Sequence, residues 1–298
     1  MPHDPSFSIL YADLKAGKSA DALAAFPRGV YIAAPGALAP AESVWGFEAP
    51  KRHDLETFKD ISQFAEGLNG STIALVADDA TLIADRTANY LRRKGLTGWD
   101  LWAAVLSQAI HMRDTLRRRG FHVVFTCHPR TAHVDNGVRV RGGPSFQGQC
   151  AEKIPAAADF LLRAEARDGQ LAGSSPIGWT HVYRTGYSPD WLQGSRYNTP
   201  DQSPMNLREI LRLAGYSIPR LPGLEWQEVL AQALAVRLCE VGLGNSELAK
   251  DALERVRDKA LRSFTRNEAH AYWALRDGYD RAVLWTASAS QRRAMWGI

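Results

Sequence analysis

Two runs, Thr72–Ala77 and Phe121–Cys127, constrain this chain most, because they lack the apolar–polar alternation of a strand with one wet face. Strands without that alternation are buried on both sides, and they belong to a parallel sheet covered by helices. Shorter apolar runs at Phe7–Tyr11, Val30–Ala34, Ala157–Ala164 and His181–Thr185 also read as strands. Lys18–Phe26, stopped by Pro27, reads as a helix between them. So does Leu55–Leu68, with Leu55, Phe58, Ile61, Phe64, Ala65 and Leu68 at helical spacing, and so does Gly98–Arg119. This alternation predicts an α/β fold with a mainly parallel sheet flanked by helices.

The chain has 298 residues, enough for one large α/β domain with an appendage. Composition changes near Pro219–Gly223, so the reading divides into a domain at 1–222 and a helical region at 223–298. In the second part, Trp226–Glu240 and Ser246–Leu284 read as amphipathic helices. Trp273, Trp285 and Trp296 there are interface anchors or core side chains. Arg130–Pro155 breaks the pattern of the first part, being rich in Gly and Arg, and reads as a long irregular loop.

Bulk properties exclude little. A formal net charge of +4 does not by itself call for a polyanionic partner. Cys127, Cys150 and Cys239 form no disulfide pattern, which favours a reducing compartment. The sequence shows no signal peptide at Met1–Ile9 and no run long enough to span a membrane, so no membrane association is expected.

The main chemical signal is Ala12-Asp13-Leu14-Lys15-Ala16-Gly17-Lys18-Ser19, between the first strand and the first helix. It matches the phosphate-loop pattern G-x-x-x-x-G-K-[ST], except that Ala12 replaces the first glycine. Amides at a helix N-terminus favour an anion, the Lys18 ammonium reaches outer phosphates, and the Ser19 hydroxyl binds Mg²⁺. The tripeptide alone recurs by chance in roughly one chain in six of this length. Its setting, after an apolar strand and upstream of Ile73–Asp79, strengthens it. That second strand ends in Asp78-Asp79, where Asp78 suits the magnesium side of the loop and Asp79 the attacking water. The plainer alternative is that both are solvated, or that Asp79 caps a helix. His128 follows Phe121–Cys127 at the same sheet edge, either as a phosphate sensor or as a structural histidine. Cys127, His128 and His133 lack the spacing of a zinc site.

Taken in order, these pieces resemble the RecA-like P-loop ATPases encoded by bacteriophages, including those associated with single-strand annealing. The matching segments are Gly17-Lys18-Ser19 with Ala22–Pro27, Ala77–Thr81, Gly98–Trp102, Val123–His128, Gly142-Gly143-Pro144, Lys153–Asp159 and Ser195-Arg196. The likeness covers about residues 7–215 and lies in order and spacing. It implies a RecA-like P-loop core with a C-terminal helical appendage, and ATP with Mg²⁺ held by Ala12, Lys15, Gly17, Lys18, Ser19 and Asp78. It implies catalytic roles for Asp79 and His128, and for Arg196 reaching a neighbouring subunit's nucleotide in a homo-oligomeric ring or filament. It also implies a DNA-facing loop carrying Arg130, Arg139, Arg141 and Phe146, whose residue types suit single-stranded DNA. A solvated hairpin is the alternative there, and an ordinary surface arginine is the alternative for Arg196.

The sequence departs from the family beside Arg196, where Gln193-Gly194 stand in place of a lysine, and after the second strand. Where these ATPases carry a glutamate after the second strand, this chain has Ala33-Ala34-Pro35-Gly36, with Glu42 the nearest carboxylate. Loss of a water-positioning base predicts weak or absent hydrolysis. Two functions follow. One is an ATP-binding protein that handles DNA in recombination or replication. The other is a catalytically degenerate P-loop protein serving in virion assembly with other phage proteins. The expected location is the host cytoplasm or the phage particle.

Overall fold

The computed structural model describes residues 4–218, apart from 15, 27, 46–47, 69–72, 136, 167–180 and 217. The tail helices and Trp273, Trp285 and Trp296 lie outside the described residues. The chain divides into one unit of Met1–Ala41 with Ala49–Ile218 and a second of Glu42–Glu48 with Pro219–Ile298.

The elements are, in order, β1 (Phe7–Tyr11), α1 (Lys18–Ala25), β2 (Val30–Ala33), α2 (Ala39–Trp45), β3 (Lys51–Arg52), α3 (Phe58–Glu66), β4 (Ala74–Asp78), α4 (Ala80–Arg93) and α5 (Gly98–Arg118). They continue with β5 (His122–Cys127), β6 (Pro129–Arg130), β7 (His133–Asp135), β8 (Val138–Val140), β9 (Gly143–Pro144), α6 (Cys150–Ala156), β10 (Phe160–Ala166), β11 (His181–Arg184), β12 (Gly194–Ser195), β13 (Gln202–Pro204) and α7 (Leu207–Leu213). One sheet runs β13-β11-β10-β1-β5-β4-β2-β3, with β12 beside β10. The pairs from β10 across to β3 are parallel. β11 and β12 join β10 antiparallel, and β13 joins β11 antiparallel. The α/β reading with a mainly parallel sheet therefore holds.

Side-chain parity explains how the sheet is covered. Phe7, Ile9 and Tyr11 of β1, Leu75 and Ala77 of β4, and Val123, Phe125 and Cys127 of β5 join one apolar cluster. That cluster includes Phe58 and Ile61 of α3, Ile83 of α4, and Val105 and Met112 of α5. Phe125 stacks on Phe58 at 5.9 Å between centroids and meets Phe7 edge-on at 5.0 Å. Burying each of these rings contributes about 1.5–3 kcal/mol. The intervening residues, including Thr126 and Asp78, point to the opposite face because strand side chains alternate. Thr126 and Asp78 thereby share a face with Ser19 of α1, to which Asp78 is hydrogen-bonded.

The expected irregular loop at Arg130–Pro155 is corrected by the structure. Residues 129–144 form a hairpin, β6 pairing β9 at its base and β7 pairing β8 further out, followed by α6. The chain reverses beside Gly137 at φ 78, a backbone region that glycine enters without strain. The same helix moves the start of the next strand from Ala157 to Phe160, since Ala157 ends α6.

At the amino-terminal end of the sheet, His122 is buried and its Nδ1 accepts from the Ser6 amide at 3.1 Å. Its ring lies between Phe26 at 5.4 Å and Tyr216 at 5.6 Å. Burial, with Arg117 nearby, pushes its pKa down to about 4. An unfolded histidine titrates near ~6.5, so the neutral ring stabilises the fold fully above that pH. The contribution is lost as pH falls from there towards about 4. The expected outcome is a melting temperature that drops across this window. In His122→Asn, which accepts from Ser6 but cannot ionise, the drop is shallower and overall stability lower, as thermal melts at stepped pH will read.

Candidate functional site

The carboxyl ends of parallel strands leave a crevice where loops carry chemistry. Here β5 lies between β1 and β4, so the turn after Tyr11 and the carboxylate of Asp78 flank Thr126. The turn ends at Gly17, whose φ of 88 is a left-handed conformation, and α1 starts there with no side-chain cap on its first amides. The first amides of any helix lack intrahelical carbonyl partners, so a helix start is a place where N–H donors gather. Lys18 folds back over the turn, its Nζ donating to the carbonyls of Ala12 at 2.9 Å and Asp13 at 3.0 Å. Burial lowers its pKa, while Asp79 and then Asp78 work in the opposite direction. Lys15 lies outside the described residues.

Asp78 ends β4 buried, and its Oδ1 accepts from the Ser19 hydroxyl at 2.8 Å and from the Thr126 hydroxyl. Burial raises its pKa against the effect of those two bonds, and the neighbouring Asp79 adds to the rise. Hard oxygen donors of this kind suit Mg²⁺, which takes one or two carboxylates and leaves the remaining positions to water and phosphate. Among the described residues no group of three or more His, Cys, Asp or Glu could hold a metal by itself. The Ser19 hydroxyl and the Asp78 carboxylate supply two such oxygens side by side.

Asp79 caps α4. Its Oδ1 accepts from the Thr81 amide at 2.8 Å and from the Thr81 hydroxyl, and its Oδ2 lies 2.8 Å from Nε2 of His128. Of the two sequence readings of Asp79, the helix cap is the one seen here. Asp85, one turn along α4, feels Asp79 and accepts from Gln147 at 3.2 Å.

His128 also stands at the foot of the hairpin, its carbonyl accepting from the Ser145 amide at 2.8 Å. The hairpin is fastened at Gly142, whose amide donates to Asp190 and whose carbonyl accepts from Leu192. A Cβ at Gly142 would stand 2.6 Å from the Trp191 ring, so only glycine allows this approach. Arg163 stacks on Trp191 at 4.0 Å. Arg139 is exposed and paired with Asp190, Arg141 is exposed, and Arg130 Nη2 donates to the Arg141 carbonyl at 3.4 Å. Phe146 departs from the expected base-stacking role: it is 2% exposed and packs 6.5 Å from Phe125, as a core side chain.

Arg196 lies away from this crevice, at the amino-terminal end of β10. Its amide donates to the Asp159 carbonyl, and its guanidinium lies 3.6 Å from the Asp159 carboxylate and 3.0 Å from the Ala156 carbonyl. The structure thus brings Ala12, Gly17, Lys18, Ser19, Asp78, Asp79 and His128 together and leaves Arg196 at the far end of the sheet. Thr126 and Thr81 complete the site. A threonine two places after Asp79 is the sequence signal that could have pointed to Thr81.

No protein-family profile and no curated protein sequence matches the chain. Among solved structures it is similar to that of the RadB recombinase, at 14% identity and a TM-score of 0.36, covering 55% of this chain and 76% of that one. Among the described residues no helix is long and apolar enough to cross a membrane.

Asp78→Asn tests how the buried carboxylate is used. The amide keeps an acceptor for Ser19 and Thr126 and removes a charge that burial disfavours. The nucleotide-free protein is expected to melt roughly 2–4 °C higher. A lower melting temperature would show that the ionised form is already well compensated.

Proposed function

We propose that this chain binds a nucleoside triphosphate with Mg²⁺ at the Gly17–Ser19 turn and couples its occupancy to single-stranded DNA. The observation that carries the reading is the Ser19–Asp78 hydrogen bond, with Lys18 folded over the same turn. It joins two segments far apart in sequence, the ones proposed to hold the phosphates and Mg²⁺. Incoming phosphates supply acceptors for the Gly17–Ser19 amides and for Lys18, and Mg²⁺ offsets the buried charge of Asp78.

The hairpin after His128 is the element proposed to meet DNA, through Arg130, Arg139 and Arg141. His128 joins that hairpin to Asp79, so a change at the phosphates has a short route to the arginines. The end-of-sheet position of Arg196 suits action on a neighbour's nucleotide, which makes a ring or filament part of the proposal. The motif order supports a bacteriophage RecA-like ATPase acting in recombination or replication. The absent carboxylate after β2 favours slow turnover, and it equally supports the second reading, a P-loop protein kept for virion assembly.

Lys18→Ala is expected to weaken Mg²⁺–nucleotide binding at least about tenfold in a fluorescent-nucleotide titration. Unchanged affinity would overturn the binding reading. Arg139→Ala and Arg141→Ala are expected to lower the slope of log affinity for oligothymidylate against log salt, by about 0.7 for each phosphate that the variant no longer neutralises. An unchanged slope would remove the hairpin from the DNA surface. Nucleotide retained without turnover, with or without DNA, would favour the assembly reading.

A further inference from the structure

A nucleotide hydrolase needs a group to take the proton of the attacking water, and the usual place for it holds no carboxylate here. β2 ends in Ala33 and runs on through Ala34, Pro35 and Gly36. Asp79 does not replace that base directly, because both of its oxygens are engaged, one by Thr81 and the other by His128.

That engagement sets the state of the histidine. A carboxylate only accepts, so Nε2 of the neutral ring carries the proton that faces Asp79, and Nδ1 keeps its lone pair. The His128 side chain is 46% exposed, and no side chain among the described residues meets Nδ1. Thr81 holds Asp79, and Asp79 holds the Nε2 side of the half-exposed His128 ring. A base oriented by a carboxylate that is itself oriented is a recurrent arrangement for activating a nucleophile. The charged groups around the pair are Asp79 at the start of α4, Lys18 from α1, Asp78 from β4 and Asp85 further along α4.

Resting on the nucleotide reading above, we propose that His128 Nδ1 is the general base for hydrolysis of the bound triphosphate, with Asp79 and Thr81 as its positioning residues. The water oxygen forms a bond to the terminal phosphorus as the bond from that phosphorus to the bridging oxygen breaks. The bridging oxygen leaves with the diphosphate, keeping the electron pair. The water's proton passes to Nδ1, Asp79 steadies the imidazolium, and the ring then returns the proton to solvent. Nothing is oxidised or reduced.

Two variants of the full-length protein test this. His128→Gln keeps an N–H donor for Asp79 and has no base. Single-turnover hydrolysis is expected to fall about 10²–10⁴-fold, while Mg²⁺–nucleotide affinity stays within about threefold. In Asp79→Asn, Thr81 retains the carbonyl oxygen, the new amide N–H₂ faces Nε2, and the ring switches to the Nδ1–H tautomer. ¹⁵N NMR of the nucleotide-free protein is expected to show the Nε2–H tautomer in wild type and the Nδ1–H tautomer in the variant. Hydrolysis by the variant is expected to be lost as in His128→Gln. A wild-type ring carrying its proton on Nδ1 would overturn the proposal. So would His128→Gln turning over bound nucleotide within about threefold of wild type. Failure of wild type to bind Mg²⁺–nucleotide would instead overturn the binding reading, and this proposal with it.

Discussion

The site depends on one buried carboxylate oxygen that receives two hydroxyls from different elements. Asp78 Oδ1 accepts from Ser19 on the first helix and from Thr126 on the strand between. Without those bonds a carboxylate buried at a strand end would be strongly disfavoured. With them, the start of the first helix is tied to the sheet. The same bond sets the distance between the Lys18 turn and the acidic edge, so the spacing of the two halves follows from the sheet.

The architecture serves that arrangement. Parity along β4 and β5 sends Leu75, Ala77, Val123 and Phe125 into the apolar cluster, and it leaves Asp78 and Thr126 for the α1 face. A shift of one residue in either strand would bury the wrong set. On the far side, the buried Asp21 of α1 accepts from the Tyr183 hydroxyl at 2.6 Å and the Leu207 amide at 3.0 Å. These bonds fasten the first helix to the antiparallel extension of the sheet. The first helix is therefore held by two carboxylates, Asp78 from the sheet near its start and its own Asp21 a few residues on.

Much of this is legible in the sequence, for a physical reason. Strands buried on both faces lack apolar–polar alternation, so Thr72–Ala77 and Phe121–Cys127 stand out. The Gly17-Lys18-Ser19 motif is contiguous, so it is visible as well. What the sequence hides is long-range. The hairpin at 129–144 is too short in its strands to show alternation, and its fastening at Gly142 requires Trp191, far along the chain. Phe146 reads as a free aromatic because its loop is polar, yet folding turns it onto Phe125. The tie between Asp79 and His128 joins two strand ends that only the sheet order places together.

The claim beneath the whole account is that the turn beginning at Gly17 holds a polyphosphate. A crystal structure of the protein with Mg²⁺ and a non-hydrolysable nucleoside triphosphate tests it most directly. The account predicts phosphate oxygens within hydrogen-bond distance of the Gly17–Ser19 amides and Lys18 Nζ, with the metal ion touching Ser19 Oγ. Nucleotide bound elsewhere on the chain, with Lys18 still closed on Ala12 and Asp13, would contradict it.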